Sequence, residues 1–218
     1  MISETTSYLE AVEHLPPNGT LLLHNIGWED YENLLEEMER KPAHRVSYND
    51  GVLKIMSPRA DHEFPKDFVL KIVTVYADEL DIDIESYGST TYRRRRRAKG
   101  AEPDTSFYVQ NAARMRGKKD IDLEYDAPPD VVFEVDVTNE SLDKFEIYAA
   151  LRVPEIWRYD GQDFKIYALS EANYEIVETS IALPLMAGAM LTEFLQIAVE
   201  EGQTAMLKQF RKRLREIK

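Results

Sequence analysis

The sequence predicts an α/β domain, because helical and extended periodicities alternate along it. The strongest extended stretch is Asp130–Val137, reading Asp-Val-Val-Phe-Glu-Val-Asp-Val. In a strand, Val131, Phe133, Val135 and Val137 share one face, while Asp130, Val132, Glu134 and Asp136 share the other. The helical signal is clearest at Trp28, Tyr31, Leu34, Leu35 and Met38, and again through Phe68, Val69, Ile72, Val73, Val75 and Tyr76. Between them, Arg45–Tyr48 and Val52–Met56 flank Asn49-Asp50-Gly51, residues that tolerate the positive φ of a tight hairpin turn.

A chain of 218 residues suits one sizeable core and is short for two. One domain is expected over residues 28–200, with an N-terminal extension over 1–27 and a C-terminal helix over 201–218. The 44% hydrophobic and 31% charged residues are those of an ordinary globular protein, and the lack of cysteine excludes a disulfide framework and thiolate metal sites. Met1–Leu15 carries acids and no apolar run of signal length, and no later stretch is apolar enough to span a bilayer. A cytoplasmic protein without membrane contact is expected. The formal charge of -13 argues against coating nucleic acid by bulk attraction, which depends on neutralising phosphates with Lys and Arg. Any such contact is local, since basic residues cluster in Arg93–Arg97 and Lys208–Lys218.

Taken in order, the Pro16-Pro17-Asn18-Gly19 turn precedes a strand over Thr20–His24, and an amphipathic helix follows over Trp28–Arg40, ended by Pro42. After the Arg45–Met56 hairpin a second helix runs from about His62 to Leu80, with Pro65 tolerated in its first turn. Ile82–Tyr87 and Thr90–Arg95 read as strands around Gly88-Ser89, and Thr105–Val109 as another opened by Glu102-Pro103-Asp104. Thr138–Ser141 offers N-caps for a helix to about Leu151. Glu155–Tyr159 and Phe164–Leu169 make a hairpin across Asp160-Gly161, and Tyr174–Thr179 adds a strand. The tail holds a helix over Leu191–Glu201 and a longer one striped by Leu207, Phe210, Leu214 and Ile217. That stripe is too apolar for water and packs on its own domain or across a homodimer, and a homodimer is expected.

Two acids inside a core strand cost several kcal/mol if buried without partners, so Glu134 and Asp136 require compensation. Oxygen ligands on one strand suit Mg²⁺ or Mn²⁺; the competing reading is an edge strand with its polar face in water. Asp104 starts its own strand and meets Glu134 if the two strands are neighbours. Lys144, in the first turn of the following helix, opposes the helix dipole and calls for a nearby anion, although a lysine there is also an ordinary surface residue. The four histidines, His14, His24, His44 and His62, lack metal-ligand spacing, and there is no phosphate-cradling glycine loop.

These residues carry a resemblance. Glu102-Pro103-Asp104, Phe133-Glu134-Val135-Asp136, Ser141-Leu142-Asp143-Lys144 with Ile147–Leu151, and Val153-Pro154-Glu155-Ile156-Trp157-Arg158-Tyr159 resemble the Uma-two family of bacterial restriction-endonuclease-like proteins, within the PD-(D/E)XK nuclease superfamily. The likeness includes Asp50–Leu53, Met56-Ser57-Pro58 and His62, and covers roughly Trp28 to Phe194. It implies a restriction-endonuclease-like mixed central sheet flanked by helices, with extra hairpins. It also implies a metal-dependent endonuclease on DNA, with Asp104 and Glu134 as its two acids and Glu63 as an additional metal ligand beside His62. The superfamily's lysine, two residues after the second acid, falls here on Asp136, and Lys144 is the substitute able to reach the same strand end. On this reading Asp104, Glu134, Asp136 and Lys144 form the catalytic set, and Arg93, Arg94, Arg95, Arg96 and Arg97 supply local phosphate contacts unless solvent or acids occupy them. Replacing Lys144 by methionine is expected to leave the melting temperature nearly unchanged and Mn²⁺ binding intact while abolishing cleavage of DNA. The rival is a non-catalytic dimeric binding or regulatory protein that keeps the fold, with Asp136 marking the loss of the ordinary lysine.

Overall fold

A computed structural model describes residues 12, 14–16, 19–38, 44–57, 62–137 and 142–217. The expected N-caps over 138–141 and the residues at 17–18 and 42 lie outside them. Among the described residues there are two sheets and six α-helices. In chain order these are β1 (Thr20–Leu23), α1 (Trp28–Met38), β2 (Arg45–Asn49), β3 (Val52–Met56), α2 (Glu63–Leu80), β4 (Glu85–Ser86), β5 (Tyr92–Arg94), β6 (Lys99–Ala101), β7 (Thr105–Tyr108), α3 (Ala112–Met115), β8 (Val131–Val135), α4 (Leu142–Leu151), β9 (Glu155–Tyr159), β10 (Phe164–Ser170), β11 (Asn173–Val177), α5 (Gly188–Glu200) and α6 (Gln203–Ile217).

The larger sheet has the order β11-β10-β9-β8-β7-β4, with β8 and β9 parallel and its other neighbours antiparallel. It is the mixed sheet of the expected α/β class, and α4 makes the crossover between its parallel strands. One of its faces packs Phe107, Val131, Phe133, Val135 and Trp157 against Phe68, Ile72 and Tyr76 of α2, with α5 and α6 completing that layer. The other face packs Tyr108, Val132 and Ile156 against Ile147, Tyr148 and Leu151 of α4. Trp157 thus belongs to the core. Because β8 has neighbours on both sides and layers on both faces, all five of its residues are buried, and the edge-strand reading falls. The strand ends at Val135, so Val137 leaves the apolar face and is 43% exposed.

A second, smaller sheet takes the order β1-β3-β2-β6-β5 and buries Val46, Tyr48, Leu53 and Ile55 against Trp28, Tyr31 and Leu34 of α1. Its β2–β3 hairpin turns through Asp50 and Gly51 at φ of 47° and 86°, as the Asn-Asp-Gly sequence requires. A side chain at Gly100 would collide with Tyr31 Oη, so glycine lets α1 lie close on β6. The expected strands Ile82–Tyr87 and Thr90–Arg95 shrink to β4 and β5 and join different sheets, with Gly88 at φ 55° between them. Arg95–Arg97 form a 3-10 turn rather than a strand. The chain passes from the smaller sheet to the larger through Glu102-Pro103-Asp104, where proline has no N–H with which to continue a ladder.

The inner part of the C-terminal stripe is covered by its own chain: Phe210 and Leu214 join Met206 in the core beside α2 and α5, with Leu207 half-buried against it, and Phe194 meets Phe210 edge-on at 5.1 Å. Arg211 and Arg215 lock the helix to Glu79 of α2 at 3.0 and 2.8 Å. Of the two ways of covering the stripe, packing on its own domain is the one seen for Phe210 and Leu214, while Ile217 at its end is 42% exposed. Phe210→Ala is expected to lower the unfolding free energy by about 3–5 kcal/mol in urea titration, the cost of emptying an aromatic site in a packed core. A loss under about 1 kcal/mol would mean that α6 is not part of the folding unit.

Candidate active site

The junction between the sheets brings the sequence-selected acids together. Asp104 ends the linking segment, and its Oδ2 accepts a hydrogen bond of 2.8 Å from Val135 N, pinning it across the end of β8. Glu134, one residue earlier, is 2% exposed on the face toward α4. Lys144, in the first turns of that helix, is 8% exposed, and its Nζ lies 3.0 Å from both Glu134 oxygens and 3.0 Å from the Glu102 carbonyl. Three acceptors therefore meet its three N–H donors. Tyr148, one helical turn on, donates its hydroxyl to Glu134 Oε1. The four-residue spacing that puts Lys144 and Tyr148 on one helix face is visible in the sequence, yet Tyr148 was not selected there.

Glu102 is the other participant that was quoted without a role. Its carboxylate accepts from Val46 N at 3.0 Å and Thr91 Oγ1 at 2.5 Å, while its carbonyl holds Lys144, so one residue ties the smaller sheet to the site. Burial holds the Glu102 carboxyl above its usual range, against the pull of these hydrogen bonds. Burial also pushes Glu134 up to about 7; the Lys144 charge opposes that rise and the nearby Asp104 charge adds to it.

The remaining sequence candidates separate. Asp136 lines the same cleft, but Arg158 Nε donates to its Oδ2 at 2.8 Å in a buried pair, so its carboxylate is engaged by a strand β9 guanidinium. Neighbouring parallel strands explain the pairing, since Arg158 stands opposite Glu134 in the β8–β9 register. Asp130, the third acid of that stretch, caps Val109 N at 2.7 Å. His62, just before α2, lines the cleft with its Nδ1 3.9 Å from Asp104 Oδ2. Glu63 does not line it: its side chain is 62% exposed and pairs with Lys66 at 3.4 Å, so the histidine, not the glutamate, faces the acids.

The arginine run also stands apart. It starts on the edge strand β5 of the smaller sheet and continues into the 3-10 turn, where Arg93 and Arg95 meet Glu32 at 3.6 and 3.7 Å, Arg96 meets Glu124 at 3.7 Å and Arg94 Nε donates to Leu123 O at 2.9 Å. None of the five arginines lines the cleft that holds Glu134. Acids thus stand beside three of the five arginines that the sequence offered to phosphate.

A mixed sheet layered by helices on both faces, with acids at two neighbouring strand ends and a lysine folded over the second acid, defines an α/β protein with a buried carboxylate–lysine site. The chain matches the family Uma2, described as "Putative restriction endonuclease", over residues 28–200, and it belongs to that family. No curated protein matches it. Among solved structures it is similar to a putative nuclease of the DUF820 group from Anabaena variabilis, at 14% identity and a TM-score of 0.48, covering 69% of this chain and 90% of that one.

The raised Glu134 carboxyl sets a pH dependence of stability. A folded-state value near 7 against an ordinary 4.5 means that the neutral acid is favoured on folding. Its stabilising contribution is therefore complete below pH 4.5 and is lost as the pH rises through about 7. Melting temperatures of wild type and Glu134→Gln followed across this window should show wild type losing ground to the variant as the pH rises. Parallel curves would mean that Glu134 ionises as an ordinary carboxylate.

Proposed function

We propose that this protein is a metal-dependent endonuclease that hydrolyses phosphodiester bonds in DNA at the cleft holding Asp104, Glu134 and Lys144. The observation that carries this reading is the Lys144 ammonium within 3.0 Å of both Glu134 oxygens, delivered from the helix after the acidic strand. Membership of the Uma2 family supports the nuclease class. Among the described residues no three His, Cys, Asp or Glu side chains form a ready ligand cluster. The chemistry nevertheless fits Mg²⁺ or Mn²⁺: Asp104 and Glu134 are buried oxygen donors close enough for one charge to raise the proton affinity of the other. Mg²⁺ characteristically takes one or two carboxylates and leaves its other positions to water and substrate phosphate. Asp104 and Glu134 would hold the ion, which supplies Lewis-acid polarisation of the phosphate and a more acidic water.

The chain's own groups supply the remainder. Lys144 lines the cleft as well as touching Glu134, so its charge can stabilise an attacking oxygen or the anionic transition state. Tyr148 and the Glu102 carbonyl keep that ammonium and carboxylate in register. His62 is the neighbouring group able to carry a proton. The Asp136–Arg158 pair favours a second reading, a binding protein that has kept the fold, because an acid stands where the superfamily's lysine is usual.

Cleavage of a mixed DNA substrate with Mg²⁺ or Mn²⁺ separates the two readings. Lys144→Met is expected to lower the cleavage rate by about 100-fold or more, the scale of a lost general acid–base or charge-stabilising group. Unlike a surface lysine, this buried one leaves an uncompensated carboxylate when removed. The variant's melting temperature should therefore fall above pH 7 and recover toward pH 4.5, where Glu134 is neutral. Equal cleavage by wild type and Lys144→Met would remove the lysine from the mechanism, and no cleavage by wild type with either metal would favour the binding protein. Calorimetric titration with Mn²⁺ should give a heat that Asp104→Ala loses; equal heats would place the metal elsewhere.

A further inference from the structure

The two oxygens of Glu134 are not held alike. Lys144 Nζ donates to both, at 3.0 Å each, while the Tyr148 hydroxyl adds a second donor to Oε1 alone. An ionised carboxylate offers about four lone-pair sites, shared equally by its oxygens. Oε1 therefore has both of its sites taken, whereas Oε2 keeps one, with no further donor among the described residues. Asp104 shows a similar bias: its Oδ2 accepts from Val135 N at 2.8 Å, and its Oδ1 accepts no hydrogen bond among the described residues.

Packing keeps this asymmetry in place. Tyr148 is wholly buried on α4, in the cluster that holds Tyr108, Val132, Ile147 and Leu151. Its ring has no room to swing aside, and a hydroxyl buried there without Glu134 would be left unpaired. The space beside Glu134 is small, about 30 Å³, bounded by His62, Val135, Asp136 and Lys144 on its own side. One water needs about 10–15 Å³ on this measure, so the cavity suits a compact ion with a water or two rather than one with a wide coordination shell.

We propose that Tyr148 is a positioning residue that makes Glu134 a one-oxygen metal ligand, through Oε2, and so selects Mg²⁺ or Mn²⁺ over Ca²⁺. This inference rests on the metal-dependent reading of the site and names the residue that sets its ion preference. Ca²⁺ takes about six to eight oxygens and is often held by both oxygens of one carboxylate, whereas Mg²⁺ keeps a tighter octahedron of single oxygens and water. With Oε1 occupied by Tyr148 and Lys144, the two-oxygen mode is closed. A group that holds the ligand without touching the ion fixes which atom faces it, and such partners tune metal affinity by about 10–100-fold.

The test titrates the full chain without DNA, by calorimetry with Mn²⁺ and with Ca²⁺, and measures DNA cleavage separately. Wild type is expected to bind Mn²⁺ more tightly than Ca²⁺. Tyr148→Phe keeps the ring in the core and removes only the hydroxyl; it should shift the ratio of the two affinities about tenfold toward Ca²⁺. A purely structural loss would weaken both ions alike and leave that ratio unmoved. Tyr174→Phe, which removes a hydroxyl bonded to Val153 O in the same cluster, should also leave it unmoved. Infrared difference spectra of protein with isotope-labelled glutamate, with Glu134→Gln as the blank, give a second readout. The asymmetric and symmetric carboxylate stretches of Glu134 should stand far apart in wild type with Mn²⁺, as for a one-oxygen ligand, and draw together in Tyr148→Phe with Ca²⁺. A narrow separation in wild type would overturn the proposal without any variant, and so would an unchanged ratio in a folded Tyr148→Phe; DNA cleavage by wild type would then leave the nuclease reading standing. Wild type that shows the expected selectivity and cleaves no DNA would support the role of Tyr148 and overturn the nuclease reading. Failure of wild type to bind either ion would overturn both.

Discussion

The buried contact between Glu134 and Lys144 holds this molecule's site together, because it joins elements that are otherwise separate. Glu134 lies on the central strand β8, Lys144 on the crossover helix α4, and the lysine's third hydrogen bond goes to Glu102, in the segment linking the two sheets. Removing two charges from water is costly, and their attraction offsets that cost only where geometry is good and the other donors are satisfied. Here the ammonium has three acceptors, and Tyr148 serves one carboxylate oxygen. The raised proton affinity of Glu134 shows that the compensation is partial: burial outweighs the lysine. A carboxylate kept at the edge of ionisation in a cleft suits the metal-holding role proposed for it.

The second sheet gives the cleft its opposite wall. Had the chain continued one ladder from β6 into β7, the acids would face an open sheet surface. Pro103 interrupts that ladder, the chain turns, and the hairpin bearing Arg45 and Lys54 comes to face Glu134 and Asp136. Glu102 holds the corner by clasping Val46 N with its carboxylate and Lys144 with its carbonyl. A three-residue linker thus sets both the spacing of the walls and the position of the lysine.

The charge distribution also changes meaning once it is folded. A chain of charge -13 is poorly suited to binding DNA by bulk attraction, and five consecutive arginines look like its local remedy. Three of them, Arg93, Arg95 and Arg96, instead pair with acids of α1 and of the 120–126 segment, whereas the cations that line the cleft are scattered through the sequence at Arg45, Lys54 and Lys144. Field at a site depends on which charges share its low-dielectric walls, and net charge says little about that.

Much of the fold was legible because its causes are local. Period-two alternation marked β8, β9 and β10, period 3.6 marked α1, α2 and α6, and Asn-Asp-Gly marked the hairpin; each is a property of neighbouring residues that packing then used. Asp104, Glu134 and Lys144 were legible as chemistry, since acids in a core strand demand compensation. What could not be read was pairing between residues distant in sequence: that β4 and β5 join different sheets, that Asp136 is claimed by Arg158, that Glu63 stays in solvent while His62 faces Asp104, and that the inner part of the α6 stripe packs on its own domain. Local propensity sets the direction in which a side chain leaves its own strand or helix. Which partner it meets depends on where the other elements come to lie, and that follows from burying all three hydrophobic clusters at once.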